Sequence, residues 1–208
     1  MTKTLPSASE VRAGGYYAGF AYVLWGVMPI YWRLLEDVPS FEITVQRVFW
    51  CALFVVWITA VRGHMPRALA AVRTPRILLL LGLTSMLIAA NWAIYIYCIE
   101  SNQLVEASLG YYMTPLVSFA LGVVFFGERI SRTRLFCIGL AAMALVLQLV
   151  TLGHFSWIAP ILALSSGLYG YFRKRVPVAS LDGLMIETGL LFPFAAGFIA
   201  WWAVKEVG

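Results

Sequence analysis

Four polar side chains stand inside long apolar stretches: Arg47 in "SFEITVQRVFW", Asn91 in "NWAIYIYCIE", Glu106 in "LVEASLGYYMTPLVSFALGVVFFGER" and Glu187 in "LDGLMIETGLLFP". Their chemistry is that of recognition and proton transfer. An amide can donate and accept hydrogen bonds, a guanidinium can only donate, and a carboxylate can accept a bond or take up a proton. Tyr95 lies one helical turn from Asn91 and shares its face, while Tyr111, Tyr112 and Pro115 follow Glu106 on the same stretch. Pro115 removes a backbone hydrogen bond in mid-helix, which is tolerated in membranes where neighbours or a water-lined cavity satisfy the freed carbonyl. A structural kink and a solute-lining role both explain it.

Enzymatic chemistry finds no such support. There is no GxSxG, HExxH, P-loop or dinucleotide fingerprint. His64 and His154 fall in separate loops, and Ser108, Ser165 and Ser166 have no activating base beside them in the sequence. Cys51, Cys98 and Cys137 lie within apolar runs without metal-ligand or disulfide spacing. The expectation is a non-enzyme without cofactor or metal.

The solvent around these groups follows from composition. Of 208 residues, 62% are hydrophobic and only 12% charged, with a mean hydropathy of +0.84. A soluble domain is about a quarter charged. Apolar runs of about twenty residues, the length that crosses the hydrocarbon core, recur throughout. The chain reads as an all-α polytopic membrane protein. Its net charge of +5 comes from clusters between apolar runs, as in membrane loops, and not from a nucleic-acid-binding surface.

Hydropathy predicts seven transmembrane helices, roughly over residues 14–32, 41–61, 76–99, 104–126, 132–151, 157–172 and 181–204. Pro39-Ser40, Thr74-Pro75, Gly127 and Ser180 punctuate them. The second loop carries Arg62, Arg67, Arg73 and Arg76, the fourth Arg129, Arg132 and Arg134, and the sixth Arg173, Lys174 and Arg175. By the positive-inside rule these loops and the N-terminus are cytoplasmic.

"YWRLLEDVPSFE" (31–42) and "YFRKRVPVASLD" (171–182) align without gaps at an offset of 140. Each closes one helix and opens the next, with Ser40 and Ser180 at the expected N-cap. Five spans separate the copies, so the second is inverted, as in many secondary transporters. The expected organisation is a polar N-terminal segment (1–13), a five-helix unit (14–153) and the first two helices of an inverted repeat (154–208). A complete second unit would bring the chain to roughly 280 residues. Further C-terminal helices or self-association are thus the partners expected to complete it.

"LWGVMPIYWRL…VPSFEI…RVFW", Asn91-Trp92, "EASLGYYMTPLVSFALGVVFFGER" and "YGYFRKR…IET…LFP" resemble RarD-type permeases, in the EamA branch of the drug/metabolite transporter superfamily. The resemblance runs from Tyr22 to Pro193 and is most specific over Glu106–Arg129. It implies ten helices in two inverted five-helix units around a central cavity, and alternating access. The family is associated by name with chloramphenicol sensitivity. Two features depart from it: Gln46 stands where many relatives carry histidine, and the last three helices are missing.

Depth arithmetic at 1.5 Å per residue places Arg47 about 9 Å, Asn91 about 12 Å and Glu106 about 5 Å below the outer face. Glu187, the repeat mate of Arg47, falls about 9 Å from the inner face, which leaves roughly 12 Å between them in a 30 Å core. The expected partner of Arg47 is therefore Glu106, with Asn91 completing an outer polar cluster. The competing reading has Arg47 snorkelling to the interface or bracing the second helix structurally. Glu106 or Glu187 is the candidate proton carrier. The functional expectation is a secondary transporter of small organic metabolites or drugs, embedded in a bacterial inner membrane. The alternative is a non-transporting scaffold or partner-dependent subunit.

Overall fold

The computed structural model describes residues 8–35, 38–127, 131–153 and 156–207. Glu128, Arg129 and His154 and the start of the N-terminal segment lie outside the described residues. The chain divides into two units, Met1–Val38 and Pro39–Gly208. The first contains α1 (Ala8–Arg33), which continues through Pro29 and ends with Arg33 in its last turn. A cation there complements the partial negative charge of the helix C-terminus.

The second unit contains α2 (Ser40–Val61), α3 (Met65–Val72), α4 (Pro75–Glu100), α5 (Leu104–Phe126), α6 (Arg132–Leu152), α7 (Ile158–Arg175) and α8 (Ser180–Val207). The seven helices expected from hydropathy are present, so the all-helical class stands. The described residues hold an eighth, α3, where the sequence predicts a loop, because eight residues are too short for a span. Its proline lies in the first turn, where the missing N–H has no helical partner anyway. Ala68 is buried, Met65, Ala71 and Val72 pack against the same core cluster, and Arg67 and Arg73 are exposed. One apolar face thus holds this short helix in place.

Among the described residues, α2, α4, α5 and α8 are long and apolar enough to cross a membrane by length and composition, and 135–151 forms a shorter apolar helix. Large apolar side chains cover the outside of these helices, including Trp50, Phe54, Leu79, Val124 and Phe194. An exterior of this kind is stable only where the solvent is itself apolar. The chain is a multi-pass membrane protein.

Helix α4 is the hub, touching α2, α3, α5, α7 and α8; α7 also packs along α5, α8 along α2, and α6 against α5. The two helices assigned to the partial repeat are therefore integrated with the preceding ones. Between α5 and α7 the approach is close enough to demand glycine. A Cβ on Gly110 would come within 2.9 Å of the Ala159 carbonyl oxygen, and one on Gly167 within 2.6 Å of Val117 Cγ1. Small residues play this part in membrane helix pairs, where close packing replaces hydrophobic expulsion as the driving force. Between α2 and α8, aromatic rings fill the contact: Phe41 meets Phe198 edge-on at 4.9 Å, and Phe49 stacks on Phe192 at 5.2 Å.

The termini of α2 and α5 differ in how their sequence signals are met. Gly127 adopts the left-handed conformation (φ 60°) that closes α5, as its position after the apolar run suggested. Ser40, expected as an N-cap, is instead the first helical residue after Pro39, and no side-chain cap forms. Its backbone N–H donates to Glu100 Oε2 at 3.1 Å. The end of α4 thus supplies the acceptor that a local cap would have provided.

Candidate functional site

Seven residues separate Thr84 from Asn91, two turns that place both on one face of α4. On α7, Ser165, Tyr169 and Arg173 recur every four residues and likewise share a face. Because α4 and α7 pack together, these two polar stripes meet inside the bundle. The result is a line of polar contacts with two centres.

At the first centre, buried Asn91 donates from Nδ2 to Ser165 Oγ and Ser166 Oγ, both at 2.9 Å, and to the Leu162 carbonyl at 3.2 Å. Its Oδ1 accepts a bond from the Tyr111 hydroxyl at 3.3 Å. Both ends of the amide are therefore occupied, as burial away from water requires. The rings of Tyr111 and Tyr95 meet edge-on at 5.4 Å. Beside them the Arg47 guanidinium lies 4.1 Å from the centroid of the Trp92 ring. A π-face stabilises a desolvated cation, so aromatic stacking helps to answer how α2 accommodates this charge.

At the second centre, Glu187 is fully buried. Its Oε1 accepts a 2.7 Å bond from the Thr84 hydroxyl, its Oε2 a 3.3 Å bond from Tyr169, and Arg173 Nε lies 3.6 Å away. Arg173 sits in the last turn of α7, where the helix dipole also favours a cation. It reaches inward from the basic cluster that hydropathy assigned wholly to a loop.

The structure places the expected site residues as follows. Asn91, Tyr95 and Tyr111 come together, and Arg47 lies over the neighbouring Trp92. The hydrogen bonds of Asn91 run to Tyr111 on α5 and to Leu162, Ser165 and Ser166 on α7. Glu106 is buried in the first turn of α5, beside Ala107, which packs in a core cluster with Cys98 and Leu162. Tyr112 and Pro115 lie on the exposed side of α5, since adjacent residues differ by about 100° around a helix. They stand apart from the Asn91–Tyr111 group. The cation placed against the Glu187 carboxylate is Arg173. Thr84, Trp92, Ser165, Ser166, Tyr169 and Arg173 join the expected residues, and the four-residue spacing on α7 is the sequence signal for Ser165, Tyr169 and Arg173 among them.

Grooves also lie between neighbouring helices. One, of about 280 Å³, lies between α2 and α8 and is lined by Glu42, Gln46, Phe198 and Trp202 among others. The other, of about 260 Å³, lies between α5 and α7 beside Gly167, Gly170 and Lys174. Among the described residues no group of three or more His, Cys, Asp or Glu could hold a metal ion, and the three cysteines are free thiols.

An all-helical bundle with an apolar exterior and polar side chains buried along its central helix pair is a membrane-protein architecture. Residues 13–150 match the EamA-like transporter family. The chain is 38% identical over 190 residues to an uncharacterised transporter of Pseudomonas aeruginosa, covering 91% of this chain and 64% of that one. It is 36% identical over 198 residues to an uncharacterised transporter of Vibrio cholerae, covering 95% of this chain and 66% of the relative. Protein RarD of Escherichia coli K12 is 35% identical over 192 residues, covering 92% of this chain and 65% of that protein. The chain therefore belongs to the EamA-like transporter family and is of its RarD type. It spans about two thirds of the length of these relatives. No solved structure matches it.

Proposed function

We propose that this chain forms the solute-handling part of a secondary transporter that moves small organic metabolites or drugs across a bacterial cell membrane by alternating access. Membership of a transporter family supports the class of activity, and the buried Asn91 network supports the location of the solute site. Asn91 binds Ser165, Ser166 and Tyr111 from two other helices, and the ring of Tyr95 meets that of Tyr111. All these groups can exchange a mutual hydrogen bond or ring contact for one with a solute. Neutral polar and aromatic groups of this kind bind small molecules that carry both polar and flat apolar parts. The network is closed, so solute entry requires α4 and α7 to separate at Asn91. The basic clusters of the loops support placing the N-terminus and even-numbered loops in the cytoplasm.

The test is uptake of a panel of labelled amines, amino acids and aromatic antibiotics into proteoliposomes, comparing the chain with Asn91→Ala and Ser165→Ala. Saturable flux that both variants reduce about tenfold or more supports the reading. Flux with unchanged dependence on solute in both variants removes Asn91 from the site. Absence of flux from the folded chain across the panel favours the alternative, a scaffold or partner-dependent subunit.

A further inference from the structure

Arg173 makes two kinds of contact at once. Its Nε faces Glu187 at 3.6 Å, while Nη1 and Nη2 donate to the carbonyls of Val178 and Ala179 at 3.2 and 2.9 Å. Those carbonyls belong to the turn that joins α7 to α8, so one guanidinium ties the turn to a carboxylate in the bundle. The space for it is provided by Gly183, in the first turn of α8, where a Cβ would fall upon the guanidinium itself. Glycine within a helix is normally unfavourable by about 0.5–1 kcal/mol; here its missing side chain makes room for Arg173.

The remaining partners of Glu187 do not depend on its charge. Thr84 and Tyr169 reach it through hydroxyl groups, which can donate to a carboxylate or accept from a carboxylic acid. A neutral Glu187 can thus keep its hydrogen bonds, whereas its attraction for Arg173 is lost with the charge. The site accommodates both protonation states and distinguishes them at Arg173 alone.

We propose that Arg173 and Glu187 form a proton-operated latch on the α7–α8 turn. With Glu187 ionised, the guanidinium is pinned across the turn. When the carboxylate takes a proton from water, the guanidinium is released and the turn and the start of α8 loosen; loss of the proton to water resets the latch. Its use, coupling a proton to the opening of a solute path, rests on the transporter reading, while its mechanics do not.

Among the described residues, the charged and titratable groups around Glu187 come from four neighbouring helices. Helix α7 contributes Tyr169 and Arg173, and α4 contributes the Thr84 hydroxyl and, at its exposed start, Arg76. From α2, Cys51 packs on the cluster containing Met185 and Ile186, and Arg47 lies over Trp92. At the α3 end, Arg67 and Arg73 are exposed, and His64 Nδ1 lies 3.4 Å from Asp182 Oδ1. The His64–Asp182 pair is the competing source of any pH response in this region.

The experiment is hydrogen–deuterium exchange of the amides of residues 176–183 in lipid nanodiscs, from about pH 8 to about pH 5 and corrected for intrinsic exchange. Acidification should raise exchange roughly tenfold in the unaltered chain. Glu187→Gln should exchange fast throughout, and His64→Gln should keep the pH step. Gly183→Ala, which leaves Glu187 in place and displaces the guanidinium, should also be fast throughout. A pH-independent turn in the unaltered chain overturns the latch. So does a step that survives in Glu187→Gln or disappears in His64→Gln. No solute is present in this measurement, so its outcome is separate from that of the flux assay with Asn91→Ala.

Discussion

Asn91 Nδ2 and Ser165 Oγ lie 2.9 Å apart, and the bond between them joins the hub helix α4 to α7, a helix from the other side of the expected repeat boundary. Ser166 and Tyr111 complete the network around the same amide. Within hydrocarbon such a bond contributes less than its geometry suggests, because an unfolded chain in the membrane also finds partners. Removing the amide has a further consequence: it leaves Ser165, Ser166 and Tyr111 to re-pair among themselves. Asn91→Ala should therefore destabilise the chain by about 1–2 kcal/mol. Reversible unfolding in mixed micelles measures this directly, and a change within error of zero would show that the network is energetically idle.

The Arg173–Glu187 contact predicts an asymmetric double-mutant cycle. Glu187→Gln keeps a polar group that Thr84 and Tyr169 can still bind, and should cost about 1 kcal/mol. Arg173→Met leaves a fully buried carboxylate without its cation and should cost about 3 kcal/mol or more at neutral pH. Combining the two should cost less than their sum, because neither charge is then left alone. Strict additivity in the same unfolding assay would mean that the two groups do not interact.

Much of this architecture is legible in the sequence, because lipid imposes a simple rule. A span must be long, apolar and helical, so the apolar runs that became α2, α4, α5 and α8 identify themselves. Glycine 127 likewise ends α5 where a left-handed residue was expected. Short α3 escaped that rule, since its stability comes from Ala68 and its neighbours packing against a core drawn from other helices. The site was harder to read for a related reason. Depth arithmetic yields one coordinate per residue and no direction around the helix. It gives Asn91 and Arg47 similar depths without revealing that Asn91 bonds to Ser165 and Tyr111 or that Arg47 lies over Trp92. Arg173 was missed because a hydropathy boundary at Phe172 consigned it to a loop, whereas α7 runs on to Arg175.

Stacking against Trp92 should make Arg47 more sensitive to its aromatic partner than an arginine that snorkels to water. Trp92→Leu keeps an apolar side chain but removes the π-face, and the lost cation–π contact is worth about 0.5–2 kcal/mol. Arg47→Met should in turn make Trp92→Leu nearly neutral, apart from the change in packing volume. A cost for Trp92→Leu that is unchanged in the Arg47→Met background would place the cation's stabilisation elsewhere.

The α5–α7 contact yields the sharpest packing prediction. At Gly110 the nearest obstacles to a Cβ are the Leu162 Cβ at 2.8 Å and the Ala159 carbonyl oxygen at 2.9 Å. One belongs to the base of a side chain and the other to the backbone, and neither can rotate away. Gly110→Val should force the two helices apart and destabilise by about 1–3 kcal/mol. Gly82 on α4 provides the control, since a Cβ there meets nothing within 4 Å. Gly82→Ala should instead be neutral or slightly stabilising, by up to about 1 kcal/mol, because alanine is the better helix former. Separation of α5 from α7 would also draw Tyr111 away from the serines that share the Asn91 amide. Gly110→Val should accordingly weaken solute binding in the flux assay, whereas Gly82→Ala leaves it unchanged. Equal effects of the two substitutions on stability and flux would contradict the close approach on which this arrangement of the site depends.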